Sequence, residues 1–524
     1  MNRPLASARR RRMLQAGAAL SGAGALPLLW PLAAQAAPEG KLTWGLSLSL
    51  TSAFFDPGET PGTGASLLLQ YAMHDAVMRP VAGKTSDLSL AESLNASRDG
   101  LVYEFKLRPN LKFQNGDPLT AEDAKFSFER YKGANAKALK EHVAAVETPD
   151  ARTLRFRLKK PWPDFLAFYG TAASAAAWVL PKKYLESVGD EGFKKAPVGA
   201  GPYRLASFKP GTEFVYEASE HYWRKTPNVK TLVFKVIPDA TTRMAAMKRG
   251  EIDIAYGIQG ELVAEARRTP GLTVKTARIP VTNFIVFASM YDKSSPWSDP
   301  RVRLAANLAV DRKAINEAVY IGLGKESSSI IPHAMDGYWA PPGGGYAYDP
   351  ERAKKLLAEA GQARGFDGGM LWCDATEAMA EPVQAALAEV GIKVQLRVVE
   401  RAALLKQIAD KKLTGLVFTG SGAPGNAAAR LAQFVRRDGT LSYIQDDELD
   451  KAIDAQSAEL DPARRKATLD QIQKTLYERA MFLPVMEYPF PVVVGPRVGV
   501  DGVNGIPGNP YTGPYEDITI KAGR

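Results

Sequence analysis

Few side chains in this sequence combine a reactive type with a spacing that catalysis or metal binding requires. The four histidines, His74, His142, His221 and His333, are far apart, and Cys373 is the single cysteine. A zinc site needs several such ligands at short spacings, and an internal disulfide needs a second cysteine. Neither G-x-S-x-G nor H-E-x-x-H occurs in the sequence. The sequence therefore predicts no catalytic residues, no metal and no cofactor, and leaves a secreted hydrolase only as an alternative.

The segment Gly199–Tyr203, with the sequence GAGPY, contains two closely spaced glycines. A dinucleotide-binding loop would carry a third glycine and would open a helix, whereas this segment includes Pro202 and is followed by a strand pattern. We therefore interpret the two glycines as positions where two backbone segments approach closely.

Residues 1–36 have the composition of an export signal. Arg9–Arg12 form a basic region, Ala16–Leu32 is apolar, and Ala34-Gln35-Ala36 is a small-x-small cleavage site. Arg10-Arg11 and the residues after them resemble the twin-arginine pattern. We predict that this segment is cleaved after twin-arginine export and that the mature protein is soluble in the periplasm.

Composition and charge limit the partners of the mature chain. The chain of 524 residues is 45% hydrophobic and 24% charged, which is enough to bury two or three cores. Five arginines leave with the signal, so the net charge falls from +10 to about +5. Since no clustered basic face or nucleic-acid motif is found, we expect no nucleic-acid partner.

The stretch Pro280–Ile315 has the pattern of a crossing between two domains. Asn283–Met290 is an apolar run of strand length. A helix start follows it, with Asp299 as N-cap and Pro300 at the first helical position. Phe482–Val494 is a second apolar run, which would return the chain. Two crossing strands that bound a large insertion predict a hinge of two connections.

Between these runs the pattern alternates strand and helix. We predict strands at Met370–Cys373, Lys393–Val399 and Gly415–Thr419, separated by helices at Pro382–Val390 and Ala402–Lys411. This order predicts a doubly wound parallel sheet, whose ligands bind beyond the carboxyl ends of the strands.

Several motifs resemble one family. D-P-R-V-R at 299–303, A-V-D-R at 309–312, G-A-G-P-Y at 199–203 and D-P-E-R-A at 349–353 are similar to signatures of the family 5 extracellular solute-binding proteins. The resemblance implies an α/β, two-lobed periplasmic-binding-protein fold of the large type, with doubly wound sheets joined by a hinge. It implies lobe I at 37–283 with an extra subdomain near 80–190, lobe II at 284–483, and a return to lobe I at 484–524.

The same resemblance implies a function without catalysis. The protein would be the periplasmic component of an ABC importer, binding a peptide or peptide-like small solute between its lobes. It would deliver this solute to a membrane permease driven by an ATPase. We expect a monomer.

The nature of the solute is left open by one departure from the family pattern. Peptide-binding members commonly hold the α-ammonium with the acidic residue of a W-x-x-D-Y loop, but the corresponding stretch here, 418–426, is FTGSGAPGN. A buried ammonium needs a counter-charge, which Asp374, Glu377 or Glu487 could supply. An opine, another amino-acid derivative, a sugar or a metal chelate stays an alternative ligand.

The predicted ligand-binding residues follow from these placements. Four are aromatic residues expected to form walls of the binding cleft: Phe54, Phe55, Trp339 and Trp372. The other six lie at the ends of the predicted strands, at the start of the next helix or in the returning strand: Asp374, Ser421, Gly422, Asn426, Arg430 and Glu487.

Overall fold

The computed structural model describes residues 37–47, 52–59, 65–133, 135–170, 175–375, 377–422, 425–506 and 509–521. The predicted signal at 1–36 lies outside these residues. Every helix among the described residues is too short or too polar to cross a membrane.

The described residues form seventeen strands. In chain order these are β1 (Glu39–Leu46), β2 (Met78–Val81), β3 (Lys84–Leu88), β4 (Ala91–Ala96), β5 (Val102–Leu107), β6 (Val143–Asp150), β7 (Thr153–Leu158), β8 (Tyr203–Lys209), β9 (Glu213–Ala218), β10 (Val229–Val236), β11 (Ile254–Tyr256), β12 (Thr273–Phe287), β13 (Lys325–Glu326), β14 (Phe366–Asp374), β15 (Ile392–Val399), β16 (Leu416–Gly422) and β17 (Phe482–Val494).

The same residues form fifteen α-helices. These are α1 (Ala65–Met73), α2 (Ala121–Arg130), α3 (Ala136–His142), α4 (Phe165–Tyr169), α5 (Lys182–Lys195), α6 (Ala240–Lys248), α7 (Glu261–Arg268), α8 (Pro300–Ala309), α9 (Arg312–Tyr320), α10 (Pro350–Glu359), α11 (Ala380–Glu389), α12 (Arg401–Ala409), α13 (Ala427–Phe434), α14 (Asp447–Ala458) and α15 (Pro462–Glu478).

The helix starts follow the capping rules read from the sequence. Asp299 caps α8 by accepting a hydrogen bond from the backbone N–H of Arg301, and Pro300 occupies the first turn. Asp349 caps α10 in the same way. Each cap satisfies a backbone donor that the helix itself leaves unpaired. The predicted start of α8 is confirmed.

One large mixed sheet runs through the molecule in the order β15-β14-β16-β12-β17-β11-β1-β10-β9-β8. Strand β14 pairs in parallel with both β15 and β16, and α11 and α12 connect the three strands. The predicted parallel β-α-β-α-β unit is therefore confirmed, and the fold is α/β.

Strands β12 and β17 are the crossing strands of this sheet. They pair antiparallel, with register shifts between Arg278 and Thr282 and again after Asn283. Residues on one side of the shifts, such as Ala277, pack in a first core, and residues on the other side, such as Phe284, pack in a second. The two strands thus carry the backbone from one core to the other.

These two cores, the largest among the described residues, draw on different parts of the chain. The first contains buried residues between Leu42 and Ala277 and from Val492 onward, and the second contains residues between Phe284 and Met486. The molecule is therefore two-lobed. A separate four-stranded sheet, β4-β5-β7-β6, falls within the range predicted for the extra subdomain. The lobe and subdomain boundaries themselves stay predictions.

The two glycines of the GAGPY segment lie against the end of α1. A Cβ at Gly199 would stand 2.0 Å from the carbonyl oxygen of Met73, and one at Gly201 would stand 2.5 Å from the carbonyl carbon. The backbone N–H of Gly201 donates to that oxygen at 2.9 Å. The interpretation of close backbone approach is confirmed.

Candidate functional site

Two adjoining cavities lie along β17, and the first of them is also lined by β12. The first, which we call the Glu487 cavity, has a volume of about 320 Å³ and is lined by Thr276, Lys325, His333, Glu487 and Asn504 among others. These five side chains are polar or charged, so the cavity can hold hydrogen-bonding groups of a solute.

The second cavity, which we call the Tyr320 cavity, has a volume of about 350 Å³. Gln259 and Val263 form part of its wall from the chain before β12, and Tyr320 and Ala378 from the chain between the crossing strands. Its floor includes prolines of β17. The cavities are adjacent because they share Leu323, Tyr488 and Pro489.

The rings of Tyr320 and Tyr488 meet edge to face, with centroids 5.7 Å apart. Tyr488 also accepts a hydrogen bond from the side-chain amide of Gln259 at 3.0 Å. An aromatic pair of this kind offers apolar area together with polar tips, which suits a small organic solute.

Glu487 is held by His333. The carboxylate accepts the backbone N–H of His333 at 2.9 Å, and its Oε2 lies 2.5 Å from Nδ1 of the same residue. Glu487 is 7% exposed, so both contacts are protected from water. The structure places this predicted site residue on a cavity wall, where its carboxylate already contacts the imidazole of His333.

Asp374 ends β14 and is almost fully buried. Its Oδ2 accepts from Nη1 of Arg401 at 2.7 Å. Arg401 begins α12, and its Nη2 also reaches the carbonyl oxygen of Gly420 at 3.3 Å. The ion pair therefore compensates the charge of Asp374 and ties the ends of β14 and β16 to α12.

Glu377 stands in the loop after β14. Its Oε2 accepts from Nδ2 of Asn283 at 2.9 Å, and its Oε1 accepts from the backbone N–H of Met379 at 3.3 Å. Burial, and to a smaller extent the negative charge of Asp374, raise the pKa of Glu377 to about 7. This carboxyl group is therefore close to half-ionised at neutral pH.

Arg430 is fully buried on α13. Its guanidinium lies over the rings of Phe284 and Phe434 at 5.7 and 5.3 Å, and its Nη2 is 3.5 Å from the carbonyl oxygen of Thr282. Burial lowers its pKa, and the charge of Glu487 partly offsets this effect. The structure thus places Arg430 behind the crossing strands, packed against aromatic rings.

Asn426 caps α13 and also contacts the first lobe. Its Oδ1 accepts the backbone N–H of Ala429 at 3.1 Å, and its Nδ2 donates to Oδ1 of Asp164 at 2.6 Å. The same Asp164 oxygen pairs with Nη2 of Arg465 at 2.5 Å. Asp164 stands before α4, whereas Asn426 and Arg465 belong to the second lobe. Two side chains of one lobe therefore hold one carboxylate of the other.

The four predicted aromatic walls are dispersed. Phe55 is fully buried and packs edge to face on Phe208 and Phe214, and Phe54 packs partly buried against the same core. Trp339 lines a smaller pocket near Tyr477, where its backbone N–H donates to Gln473 at 3.1 Å. Trp372 donates its indole N–H to the carbonyl oxygen of Thr414 at 3.0 Å. None of the four lines the two cavities in the described part of the chain.

Ser421 and Gly422 end β16, where they pair with Thr282 and Val281 of β12. The side chain of Ser421 lies outside the described part of the structure. At the neighbouring Gly420, a Cβ would stand 2.1 Å from Oδ1 of Asn283. A small residue at this position therefore lets the Asn283 amide lie on the sheet and reach Glu377.

Comparison with known proteins identifies the class of molecule to which this arrangement belongs. Residues 88–440 match the family described as bacterial extracellular solute-binding proteins, family 5 Middle. The chain belongs to this family.

The similar proteins are named for different solutes. The heme-binding protein A of Haemophilus influenzae is 29% identical over 78% of this chain and 80% of its own. The dipeptide-binding protein of Escherichia coli is 29% identical over 75% of this chain and 82% of its own. The solved structure of HbpA2 from Haemophilus parasuis superposes with a TM-score of 0.79 at 24% identity, covering 92% of this chain and 100% of that chain. This last likeness concerns the fold.

Sequence reasoning on this family 5 protein missed several residues at the site. His333, Tyr320 and Asp164 were not among the predicted binding residues, although each contacts a group that lines a cavity or joins the lobes. They lie 154, 168 and 262 positions from their contact residues Glu487, Tyr488 and Asn426, so no local pattern links them. The local signal available for His333 was its position directly after Pro332.

Proposed function

We propose that this family 5 protein binds a peptide or peptide-like small solute in the Glu487 and Tyr320 cavities and passes it to the permease of an ABC importer. The observation that carries the proposal is the origin of the cavity walls. They come from both sides of the crossing strands, so a solute that fills them touches both lobes. Such a solute stabilises the closed arrangement relative to an open one.

Peptide-like chemistry is supported by the lining of the cavities. Tyrosine, proline and leucine supply apolar area, while Gln259, Asn504, Lys325 and His333 supply donors and acceptors for amide and carboxylate groups. The relative named for dipeptides has the same share of identity as the relative named for heme. The missing acidic residue in the 418–426 loop favours a non-peptide amino-acid derivative, such as an opine, as the second candidate.

We further propose the cellular setting that the sequence indicates. Residues 1–36 act as a twin-arginine signal and are cleaved, and the mature monomer works in the periplasm with a permease and its ATPase. Binding occurs without turnover of the solute.

A screen of solutes by thermal shift tests this function. The mature chain, residues 37–524, is heated with dipeptides, tripeptides, opines, heme, sugars and metal chelates, and each solution is analysed for conversion afterwards. The proposal expects saturable stabilisation by peptides or amino-acid derivatives with the solute recovered unchanged. Stabilisation by sugars or chelates alone, or conversion of a solute, contradicts it.

A further inference from the structure

The three acidic residues near the cavities differ in how their charges are compensated. Asp374 forms an ion pair with Arg401 at 2.7 Å, and Glu487 is bound by His333 at 2.5 Å. Glu377 accepts hydrogen bonds from two neutral donors, the amide of Asn283 and a backbone N–H. Within the described residues, no lysine, arginine or histidine reaches ion-pair distance of Glu377.

Glu377 lies beside the Tyr320 cavity. The next residue, Ala378, forms part of the cavity wall. Tyr320 lies on the same wall, and burial, followed by the negative charges of Glu377 and Tyr488, raises its pKa. Glu377 is thus the direct sequence neighbour of a residue that lines a space large enough for a small solute.

The side chain that holds the Glu377 carboxylate, that of Asn283, is itself held in place by its neighbours. Asn283, 7% exposed, sits on β12 between Gly420 of β16 and Met486 of β17. Its Oδ1 rests over Gly420 and its Nδ2 points to Glu377. An amide held on the central strands therefore orients the carboxylate, as a positioning residue orients a binding group.

We propose that the Glu377 carboxylate anchors a cationic group of the bound solute, a primary or secondary ammonium. This inference rests on the proposed function and names the charge that the solute must carry. A half-buried carboxylate that only neutral donors hold is less favourable than one paired with a cation, and a solute ammonium entering the Tyr320 cavity removes that cost while its own charge is compensated. The anchor takes the place of the acidic residue that the 418–426 loop lacks.

Proton linkage makes the affinity for a cationic solute depend on pH. The charged and titratable groups that face Glu377 are Asp374 and Cys373 on β14, Arg401 on α12 and Tyr320 on α9. Burial raises the pKa of Cys373 to about 11 and raises that of Tyr320 further, so neither titrates near neutrality. Binding a cation below pH 7 must release the Glu377 proton, so affinity falls by about tenfold per pH unit below 7.

The test measures affinity by calorimetry for the mature wild type, Glu377→Gln and the control Glu381→Gln. Glu381 is an exposed acid four residues further on, in the first turn of α11, so its loss removes the same charge from solvent-facing surface. The probes are alanyl-alanine, alanyl-phenylalanine and glycyl-glutamate, each beside its N-acetylated form. We expect the free amines to bind, Glu377→Gln to lose about 30-fold or more in affinity, and Glu381→Gln to bind like wild type.

The other outcomes separate the two proposals. If the free amines bind wild type and Glu377→Gln equally, or the N-acetylated forms bind as well, the anchor is overturned while the proposed function stands. The anchor is also overturned if affinity for a free amine is constant between pH 5 and 7. If none of the six probes binds, the peptide function fails and the anchor fails with it. A melting curve of Glu377→Gln at pH 5 verifies that the variant is folded.

Discussion

The side chain of Glu377 couples the stability of the protein to pH. Its folded pKa of about 7 lies above the ordinary value of 4.5. Between these two values the folded protein binds more protons than the unfolded chain, so the stability contribution present below pH 4.5 is lost as pH rises to 7. Glu377→Gln removes this loss, and we expect it to raise the free energy of unfolding at pH 8 by roughly 1–3 kcal/mol relative to wild type. At pH 4 the two proteins differ little.

Urea unfolding of the mature chain without solute, at pH 4, 6 and 8, measures this difference. A Glu377→Gln variant that is equally stable or less stable than wild type at pH 8 would show that the carboxylate is well solvated.

At the residue scale, the sequence indicated which loops follow the strands, but not which side chains contact each other there. The rule for parallel sheets drew attention to the residues after β14 and β16, where Glu377 and Asn426 lie, and their role in binding stays a prediction. It could not distinguish a compensated acid from an uncompensated one, because Arg401 and His333 reach Asp374 and Glu487 only through the fold. Phe55 illustrates the same limit, since an aromatic residue suits a core and a ligand wall equally well.

At the scale of single elements, the cap of α13 also serves the contact between lobes. Asn426→Ala removes the N-cap hydrogen bond and the donor to buried Asp164. The control Asp239→Ala removes only an exposed cap, that of α6. We expect Asp239→Ala to cost about 1 kcal/mol of unfolding free energy. Asn426→Ala should cost at least about 1 kcal/mol more, because it leaves a buried carboxylate oxygen with one donor fewer. Equal losses in urea unfolding would contradict this double role.

The approach of the GAGPY segment to α1 predicts intolerance of a single methyl group. A Cβ at Gly201 would meet backbone atoms of Met73 and His74 at 2.5 to 2.7 Å, and backbone cannot move aside as a flexible side chain can. We expect Gly201→Ala to lower the free energy of unfolding by roughly 1–3 kcal/mol. A melting temperature equal to that of wild type would show that the two segments separate easily.

Local elements were predicted well, and the long-range pairing was not. The β-α-β-α-β unit and the cap of α8 follow from short patterns of apolar and capping residues. The continuity of one sheet through both lobes depends on β12 pairing with β17, whose residues are about 200 positions apart. Apolar periodicity identifies such strands but does not select their partners.

For the whole molecule, the contact of Asp164 with Arg465 is expected to favour the closed arrangement. Arg465→Met breaks an ion pair between the lobes and leaves the carboxylate buried with Asn426 as its remaining described donor. We expect it to weaken solute affinity by about tenfold, since roughly 1–3 kcal/mol of closing energy is lost. Arg464→Met is the matched control, because Arg464 is exposed and pairs with Glu459 of its own lobe. Identical solute affinity for both variants would show that the contact persists in the open form or contributes nothing.

The central claim is that one solute bridges two lobes across the crossing strands. Small-angle X-ray scattering of the mature chain, with and without a saturating amount of the solute that stabilises it most, tests this claim most directly. The account predicts a smaller radius of gyration in the bound state, because closure brings the two cores together around the Glu487 and Tyr320 cavities. An unchanged radius of gyration at saturation would contradict it.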